Sequence, residues 1–494
     1  MDELQKPHVA VLPFPALGHY IPLLELSRLV ASQQLTVSYV TTPANVPRLQ
    51  DFVNEAVNCG IDLRLLILPT PHVEGLPEGR ESSDVCTPES HGSIFALANK
   101  LQQPFDAWME QQGLAAPPIC VVFDSFMGWA RQSAEKFSIS CVEFNPCGAF
   151  GVSGSNSASR SIMQRALEKQ REDYVVLSLD LPRPLRFKRN EINQDYWSVD
   201  EMNPITKFLL PMLQIVGKGR GSGLILNTFE ELESAYVQHL RNLTGKPVWA
   251  IGPLLPISYF SGALGNRVST RGKMADIAAD ELVQWLDSQS AGSVVYVSFG
   301  SVINLSKEQT KALARGLEGS QQPFVWAIKV TESESSGKAE YLPEGFLERT
   351  KHRGVVIWGW APQLLILSHA SVGAFLNHCG WNSTLESLSL GVPIAGWPMF
   401  ADHFFNMRIL AEMGVGIQLC EHLGGVPDEV KVTEVLRQVF SDDKGKQMRT
   451  AAQKVKEMAR KAVGDGGSSK VNVQGFASEM RKLLKTRQEQ SSLP

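Results

Sequence analysis

Short unbroken apolar runs, each followed by a turn and then a helical stretch, recur along this chain and restrict it to an α/β architecture. Val9 to Leu12 is the first such run, Pro13 to Gly18 its turn and Ile21 to Val30 an amphipathic helix; Leu35 to Val40 completes a βαβ unit. Ile61 to Leu68, Ile119 to Phe123, Cys141 to Phe144 and Leu224 to Leu226 read as further strands, with helical runs at Phe126 to Phe137 and Met163 to Gln170. Runs that are apolar throughout, rather than alternating, suit strands of a parallel sheet covered on both faces. His72 to Ser93 and Ser153 to Ser161 are polar, lack a period and read as loops.

A second cycle begins near Val294. Val294 to Val297 is its first strand, Phe299-Gly300-Ser301 a tight turn, and Ser306 to Glu318 a helix opened by a Ser306/Gln309 capping box. Phe324 to Ile328, Val355 to Trp358 and Val372 to Leu376 follow as strands. With 494 residues the chain exceeds one compact core and suits two domains. The boundary is expected at Gly252-Pro253-Leu254, which divides the chain into 1–252, 253–470 and a terminal helix with polar tail, 471–494. Ser258 to Ser269 reads as an interdomain loop, and the Gly/Ser run from Gly464 to Ser469 breaks a helix. Gly217 to Gly223 does not satisfy G-x-G-x-x-G and precedes a strand, so it reads as a lead-in rather than a phosphate loop.

Composition narrows the function classes. A net charge of −4 supplies no basic field for nucleic acid or an anionic membrane surface. Seven cysteines at irregular spacing form neither a disulfide nor a zinc pattern, as expected in a reducing compartment. The start, Met1 to Pro7, is acidic and polar, unlike a secretory leader, and no run approaches the ~20 apolar residues that span a bilayer. A cytosolic (cytoplasmic) enzyme, monomeric and without nucleic-acid or membrane partners, is the expectation.

The stretch from Trp360 to His403 holds the densest chemistry: WAPQLLILSHASVGAFLNHCGWNSTLESLSLGVPIAGWPMFADH. The strand ending at Leu376 feeds the turn Asn377-His378-Cys379-Gly380, and Trp381-Asn382-Ser383-Thr384 opens a helix. Such a turn aims backbone N–H groups at one point, and the helix dipole adds partial positive charge, a setting for a phosphate or diphosphate. Trp360 offers a flat face to a base, Glu386 a carboxylate to ribose hydroxyls, and Asp402 and His403 polar groups to a sugar. Together these residues read as a cradle for a nucleotide sugar.

The same stretch strongly resembles the donor-binding signature of plant secondary-product glycosyltransferases, the family 1 UDP-sugar transferases. Trp360, Pro362-Gln363, His378 to Ser383, Glu386, Gly391-Val392-Pro393 and Trp397-Pro398 fall in register with it. His19 in the first loop, Asp124 after a strand, Asn227 to Glu233 and Ser298 to Ser301 extend the likeness over almost the whole chain. The resemblance implies a GT-B fold, two doubly wound Rossmann-like domains facing across a cleft, with the last helix crossing back onto the N-terminal domain. It implies a UDP-sugar as co-substrate, with no cofactor and no metal. By the same resemblance Trp360 stacks on uracil, Ala361 reads it through the backbone, and Gln363 and Glu386 bind ribose. His378, Asn382, Ser383 and Ser301 contact phosphates, with Ser298 assisting, and Trp381, Asp402 and His403 reach the sugar. The polar end of the chain, Lys482 to Pro494, lacks the transmembrane tail of the animal relatives and matches the plant type.

Chemistry at the other end agrees. His19 follows the first strand, where an open α/β sheet presents its ligand crevice, and imidazole is the side chain best suited to take a proton near neutral pH. Asp124 follows Ile119 to Phe123, so its carboxylate can reach His19, orient the ring and stabilise an imidazolium. In the family these positions are the catalytic base and its partner. Read alone, His19 is also compatible with a structural hydrogen bond, Asp124 with a helix N-cap, Ser298 with a strand-end turn and Glu386 with a solvated helix face. The implied reaction is inverting glycosyl transfer, and the sequence contains no Asp-x-Asp motif to hold a divalent cation.

Acceptors in this family are small, largely apolar and hydroxylated. Phe14, Phe126, Phe150 and Phe400, each next to a motif residue, are the candidate pocket walls, with core packing as the competing reading. A flavonoid or other phenolic is expected, a terpenoid or hormone being the alternative. Two positions depart from the family pattern: Phe144-Asn145-Pro146 stands where a Thr often contacts the donor sugar, and His403 stands where Gln is usual. UDP-glucose is the expected donor and UDP-galactose the alternative. A Rossmann dehydrogenase or epimerase is disfavoured by the missing glycine fingerprint and the lack of a Tyr-x-x-x-Lys motif. A non-catalytic binder of sugar nucleotides or phenolics has no need of both His19 and Asp124.

Overall fold

The computed structural model describes residues 6–85, 91–112, 117–168, 174–177, 181–188, 191, 222–261, 275–329, 340–441 and 443–492. The chain divides into two compact units, one of Met1–Arg160, Met202–Leu255 and Lys461–Pro494, the other of Ser161–Glu201 and Pro256–Arg460. Each unit is built on one parallel sheet.

In the first unit, β1 (His8–Leu12), β2 (Thr36–Thr41), β3 (Leu63–Ile67), β4 (Cys120–Asp124) and β5 (Ser140–Asn145) are followed by β8 (Leu224–Leu226) and β9 (Val248–Ala250). They lie in the order β3-β2-β1-β4-β5-β8-β9. Val9 and Val11 enter one buried cluster while Ala10 and Leu12 enter another. An unbroken apolar run is therefore what a strand covered on both faces requires. The helix Ser468–Ser491 belongs to this unit, and its Val473, Phe476, Ala477 and Met480 complete the first cluster.

In the second unit β6 (Tyr174–Leu177) and β7 (Leu185–Lys188) form an antiparallel pair. The sheet comprises β10 (Val294–Ser298), β11 (Phe324–Ile328), β12 (Gly354–Trp358), β13 (Val372–Asn377), β14 (Ile394–Gly396) and β15 (Gly416–Gln418), ordered β12-β11-β10-β13-β14-β15. Both sheets therefore run outward in opposite senses from a central pair, β1/β4 and β10/β13, the switch point at which doubly wound folds bind ligands. These are two Rossmann-like units, the architecture of the GT-B class.

The expected capping box is present: Ser306 Oγ accepts from the Gln309 N–H, and Gln309 Oε1 accepts from the Ser306 N–H. Three local expectations are corrected. The first helix spans Leu17–Ala31 and so includes His19, despite Pro22 inside it. Its opening is held from outside, by the Ser83 N–H on the Pro15 carbonyl and the Tyr39 hydroxyl on the Tyr20 carbonyl. Phe126 to Phe137 is not one helix, because Asp124 ties the Phe126 N–H into a turn and the helix begins only at Ala130. Ser153 to Ser161 is not a loop but part of the helix Ala149–Glu168. Its first two N–H groups are capped by Glu233, and Ser153, Asn156 and Ser157 are buried, their small size admitting close packing.

His72 to Ser93 contains a short turn of helix, Ser83–Val85, and His91 opens a helix; residues 86–90 lie outside the described residues. Of the expected interdomain loop, Ser258–Ser261 is helical and the rest lies outside them, as does most of 217–223.

Candidate active site

β1 and β4 are neighbours, with Leu12 opposite Phe123, so both chains leave the sheet at the same edge. Asp124 is the last residue of β4 and His19 the third of the helix after β1. They meet: His19 Nδ1 lies 2.7 Å from Asp124 Oδ2, and Asp124 is fully buried. The other carboxylate oxygen accepts from the Phe126 N–H at 2.9 Å. Asp124 thus orients the histidine and organises the turn after its own strand. An ionised carboxylate only accepts, so the imidazole proton resides on Nδ1 and the Nε2 lone pair is left for chemistry. This is the arrangement of a general base with its orienting carboxylate.

Phe14 stands edge-on to the His19 ring at 5.2 Å and Phe126 tilts over it at 5.0 Å. Phe95 joins them, 5.0 Å from Phe14 and 6.0 Å from Phe126. Sequence reasoning missed Phe95, which lies in the helix His91–Lys100 after an unpatterned stretch and is marked by no motif. Phe150 is fully buried, edge-on to Tyr236 at 4.8 Å. On the strand beside β4 lies Glu143, whose carboxyl is pushed up by burial and held down by Arg131, its ion-pair partner; Ser125 donates to it at 2.9 Å.

In the second unit the expected donor residues follow the ends of β10, β12, β13 and β14. Gln363 donates to Ser383 Oγ at 3.1 Å and to Glu386 Oε2 at 2.6 Å, which joins two helices at one point. The helix Trp381–Ser389 starts at Gly380 with no side-chain cap. Ahead of it Cys379 has a φ of 64°, a left-handed conformation costly for a residue with a Cβ. Asn377 Oδ1 accepts from the Cys379 N–H at 2.7 Å and Asn406 donates to the Cys379 carbonyl at 2.9 Å, which holds the turn in that shape. Asn406 also donates to Asp402 at 2.9 Å. The sequence reading gave Asn377 only as the start of the turn and passed over Asn406; the spacing of Asp402 and Asn406, four apart at a helix start, is the available signal.

His378 rests against Gly300, where φ is 74° and a Cβ would come within 2.9 Å of the ring. Burial pushes its pKa down to about 4, so the ring is neutral near pH 7. His403, edge-on to His378 at 4.8 Å, is buried and held well below its usual range by burial and then by His378. His403 Nδ1 accepts from the Met399 and Phe400 N–H groups at 3.4 and 3.3 Å. Those bonds place its proton on Nε2, so the ring offers a donor and no acceptor. Phe400, 4.8 Å from the His403 ring, is exposed. Ser298 ends β10, and Ser301 lies in the turn after it, its carbonyl accepting from Lys329 at 2.5 Å. Trp360 is partly exposed, Ala361 is buried, and Asp276 is bonded to Trp360 across 84 positions.

A histidine–aspartate pair at the sheet edge of one Rossmann-like unit, and an uncapped helix start beside the Gln363–Glu386 pair in the other, are the features expected of a nucleotide-dependent transferase. Comparison with known proteins makes the class particular. The family profile described as glycosyltransferase, N-terminal domain matches residues 6–256, and that described as UDP-glucoronosyl and UDP-glucosyl transferase matches residues 230–451. The scopoletin glucosyltransferase of Nicotiana tabacum is 35% identical over 94% of this chain and 95% of its own length. Glycyrrhiza uralensis UGT73P12, solved with glycyrrhetinic acid 3-O-monoglucuronide, has a TM-score of 0.86 at 26% identity, covering 99% of this chain and 98% of that one. Arabidopsis thaliana UGT89C1, solved with UDP-L-rhamnose, has a TM-score of 0.74 at 30% identity, covering 97% and 100%. The chain belongs to the plant UDP-glycosyltransferases and is an enzyme of that activity. No helix among the described residues is long and apolar enough to cross a membrane.

Proposed function

We propose that the protein transfers glucose from UDP-glucose to a hydroxyl of a small lipophilic acceptor, a flavonoid or other phenolic, with inversion and without a metal ion. The observation that carries the reading is the 2.7 Å pairing of His19 with buried Asp124, packed under Phe14 and Phe126. The lone pair on Nε2 removes the acceptor's proton as its oxygen attacks the anomeric carbon on the face away from UDP, and Asp124 stabilises the imidazolium. The bond from that carbon to the β-phosphate oxygen breaks, and negative charge grows on UDP. Backbone N–H groups at the start of Trp381–Ser389, with His378, Asn382, Ser383 and Ser301, meet that charge. His378, being neutral, acts as a hydrogen-bond donor. Donors fixed in this way make a cation unnecessary, in keeping with the missing Asp-x-Asp motif.

Trp360 stacks on uracil, Ala361 reads it through its main chain, and the Gln363–Glu386 pair faces the ribose. Trp381, Asp402 and His403 grip the sugar, and Ser298 assists a phosphate. His403 contributes one N–H to a sugar hydroxyl where a Gln would offer a donor and an acceptor. At the end of β5 Asn145 Oδ1 already accepts from the Cys147 N–H at 3.0 Å, which leaves its two amide N–H groups and one oxygen lone pair for a sugar. Glucose is supported by the relative named as a scopoletin glucosyltransferase, while the relative solved with UDP-L-rhamnose makes the donor sugar a point to test.

The test is an aglycone panel with UDP-glucose and UDP-galactose in EDTA, using wild type and His19→Ala. Wild type is expected to glucosylate a phenolic in EDTA. His19→Ala is expected to lose at least about a hundredfold in kcat with UDP affinity intact, because the base acts on the acceptor. Full turnover in the variant, or a strict Mg²⁺ requirement, overturns the mechanism.

A further inference from the structure

We propose that Asp276 is a positioning residue for Trp360 and sets how firmly the uracil end of the donor is held, an inference that rests on Trp360 stacking on that base. β12 ends at Trp358 and the next helix begins at Gln363, so Trp360 sits in a connection with no ladder of its own. Both main-chain polar groups of Trp360 are met by one residue from far away in sequence. The Trp360 N–H donates to Asp276 Oδ2 at 2.6 Å, and the Asp276 N–H donates to the Trp360 carbonyl at 2.8 Å. The first is a charge-assisted bond, of the stronger kind.

The neighbouring residue is shaped to admit it. Gly359 has a φ of 137°, a conformation L side chains rarely adopt, and a Cβ there would lie 2.2 Å from Asp276 Oδ2. The glycine therefore leaves the space that the carboxylate occupies. Its N–H is bonded in turn to the Ile328 carbonyl at 2.9 Å, so the connection is anchored to β11 on one side and to Asp276 on the other. Without the carboxylate the Trp360 N–H faces water, and the peptide after a glycine rotates with little resistance. The indole then has to be ordered by each donor molecule as it binds, which weakens affinity without touching the reacting atoms.

The experiment measures UDP and inorganic pyrophosphate binding by calorimetry, together with donor KM, kcat and thermal melting, in Asp276→Ala, Asp276→Asn and Trp360→Ala. Asp276 is exposed, so the effect is at the low end for a charged hydrogen bond. Asp276→Ala is expected to weaken UDP and raise donor KM about three- to tenfold, with kcat, pyrophosphate affinity and melting unchanged. Asp276→Asn, which keeps an oxygen facing the Trp360 N–H, is expected to recover most of the loss. Wild-type UDP affinity in Asp276→Ala, with Trp360→Ala still impaired, overturns the role of Asp276 and leaves the uracil reading standing. Unimpaired UDP binding in Trp360→Ala overturns both. An equal fall for UDP and pyrophosphate with lowered melting assigns Asp276 to general structure and also overturns the proposal.

Discussion

His403 shows how one side chain is defined by neighbours that its position in the signature does not reveal. Two backbone N–H groups fix its tautomer, and burial beside His378 holds both rings neutral. Their folded pKa values lie below the unfolded value of about 6.5, so unfolding takes up protons once the pH drops beneath that value. The stability due to these neutral rings is therefore complete above about pH 6.5 and is lost as pH falls toward their folded values. Glu143 and Glu233 oppose the trend, because burial raises their pKa and protonation on acidification relieves that cost. Melting wild type and His403→Gln at about pH 7.5 and about pH 5 isolates the histidine contribution. The variant is expected to lose less melting temperature between the two, and equal losses would count against a buried neutral His403. The same variant tests the sugar through kcat/KM for both donors. A wild-type preference for galactose that Gln reverses would refute the glucose proposal and assign donor choice to residue 403.

Secondary-structure elements differ in how much of their cause is local. The helix Lys307–Ser320 begins where Ser306 and Gln309 announce it, since both capping partners lie within one turn. The helix Ala149–Glu168 carries no such signal. Its Gly- and Ser-rich start has weak propensity, and its cap comes from Glu233, which accepts from Ala149 at 2.9 Å and Phe150 at 2.8 Å, and from Thr228 at 2.5 Å. Glu233→Ala would remove the acceptor that the Ala149 and Phe150 N–H groups and the Thr228 hydroxyl share, an expected loss of about 2 to 5 kcal/mol, read as a lowered urea midpoint. Glu233→Gln retains one acceptor and is expected to fall between. An unchanged midpoint in the alanine variant would mean that the helix does not depend on this cap. The donor segment lies at the other extreme, because strand, turn, helix start and the residues proposed to hold the sugar follow one another in sequence.

At the scale of the whole molecule, the end of the chain belongs to the core of its beginning. Phe476 stands edge-on to Trp249 at 5.4 Å, and Val473, Phe476 and Met480 are buried in the first unit. Burying three such side chains contributes about 1.5–3 kcal/mol each, comparable in sum with the 5–15 kcal/mol stability of a typical domain. Deleting residues 468–494 is therefore expected to abolish cooperative unfolding of the first unit and expose it to limited proteolysis. Retention of a native melting transition would show that the helix is dispensable. The contrast between this helix and the donor segment marks what each level determined. The sequence by itself determined the two cycles of parallel strands, the capping box and the order of residues in the donor segment. Periodicity and turn chemistry are settled among neighbours a few positions apart. Tertiary structure alone decided that His19 meets Asp124 across 105 positions, that Asp276 clasps Trp360 and that Glu233 caps a helix 83 positions upstream. Apolar burial is non-directional and drives collapse without naming partners. Which polar groups end up paired depends on the register and order in which the strands assemble, and only the folded sheets supply those.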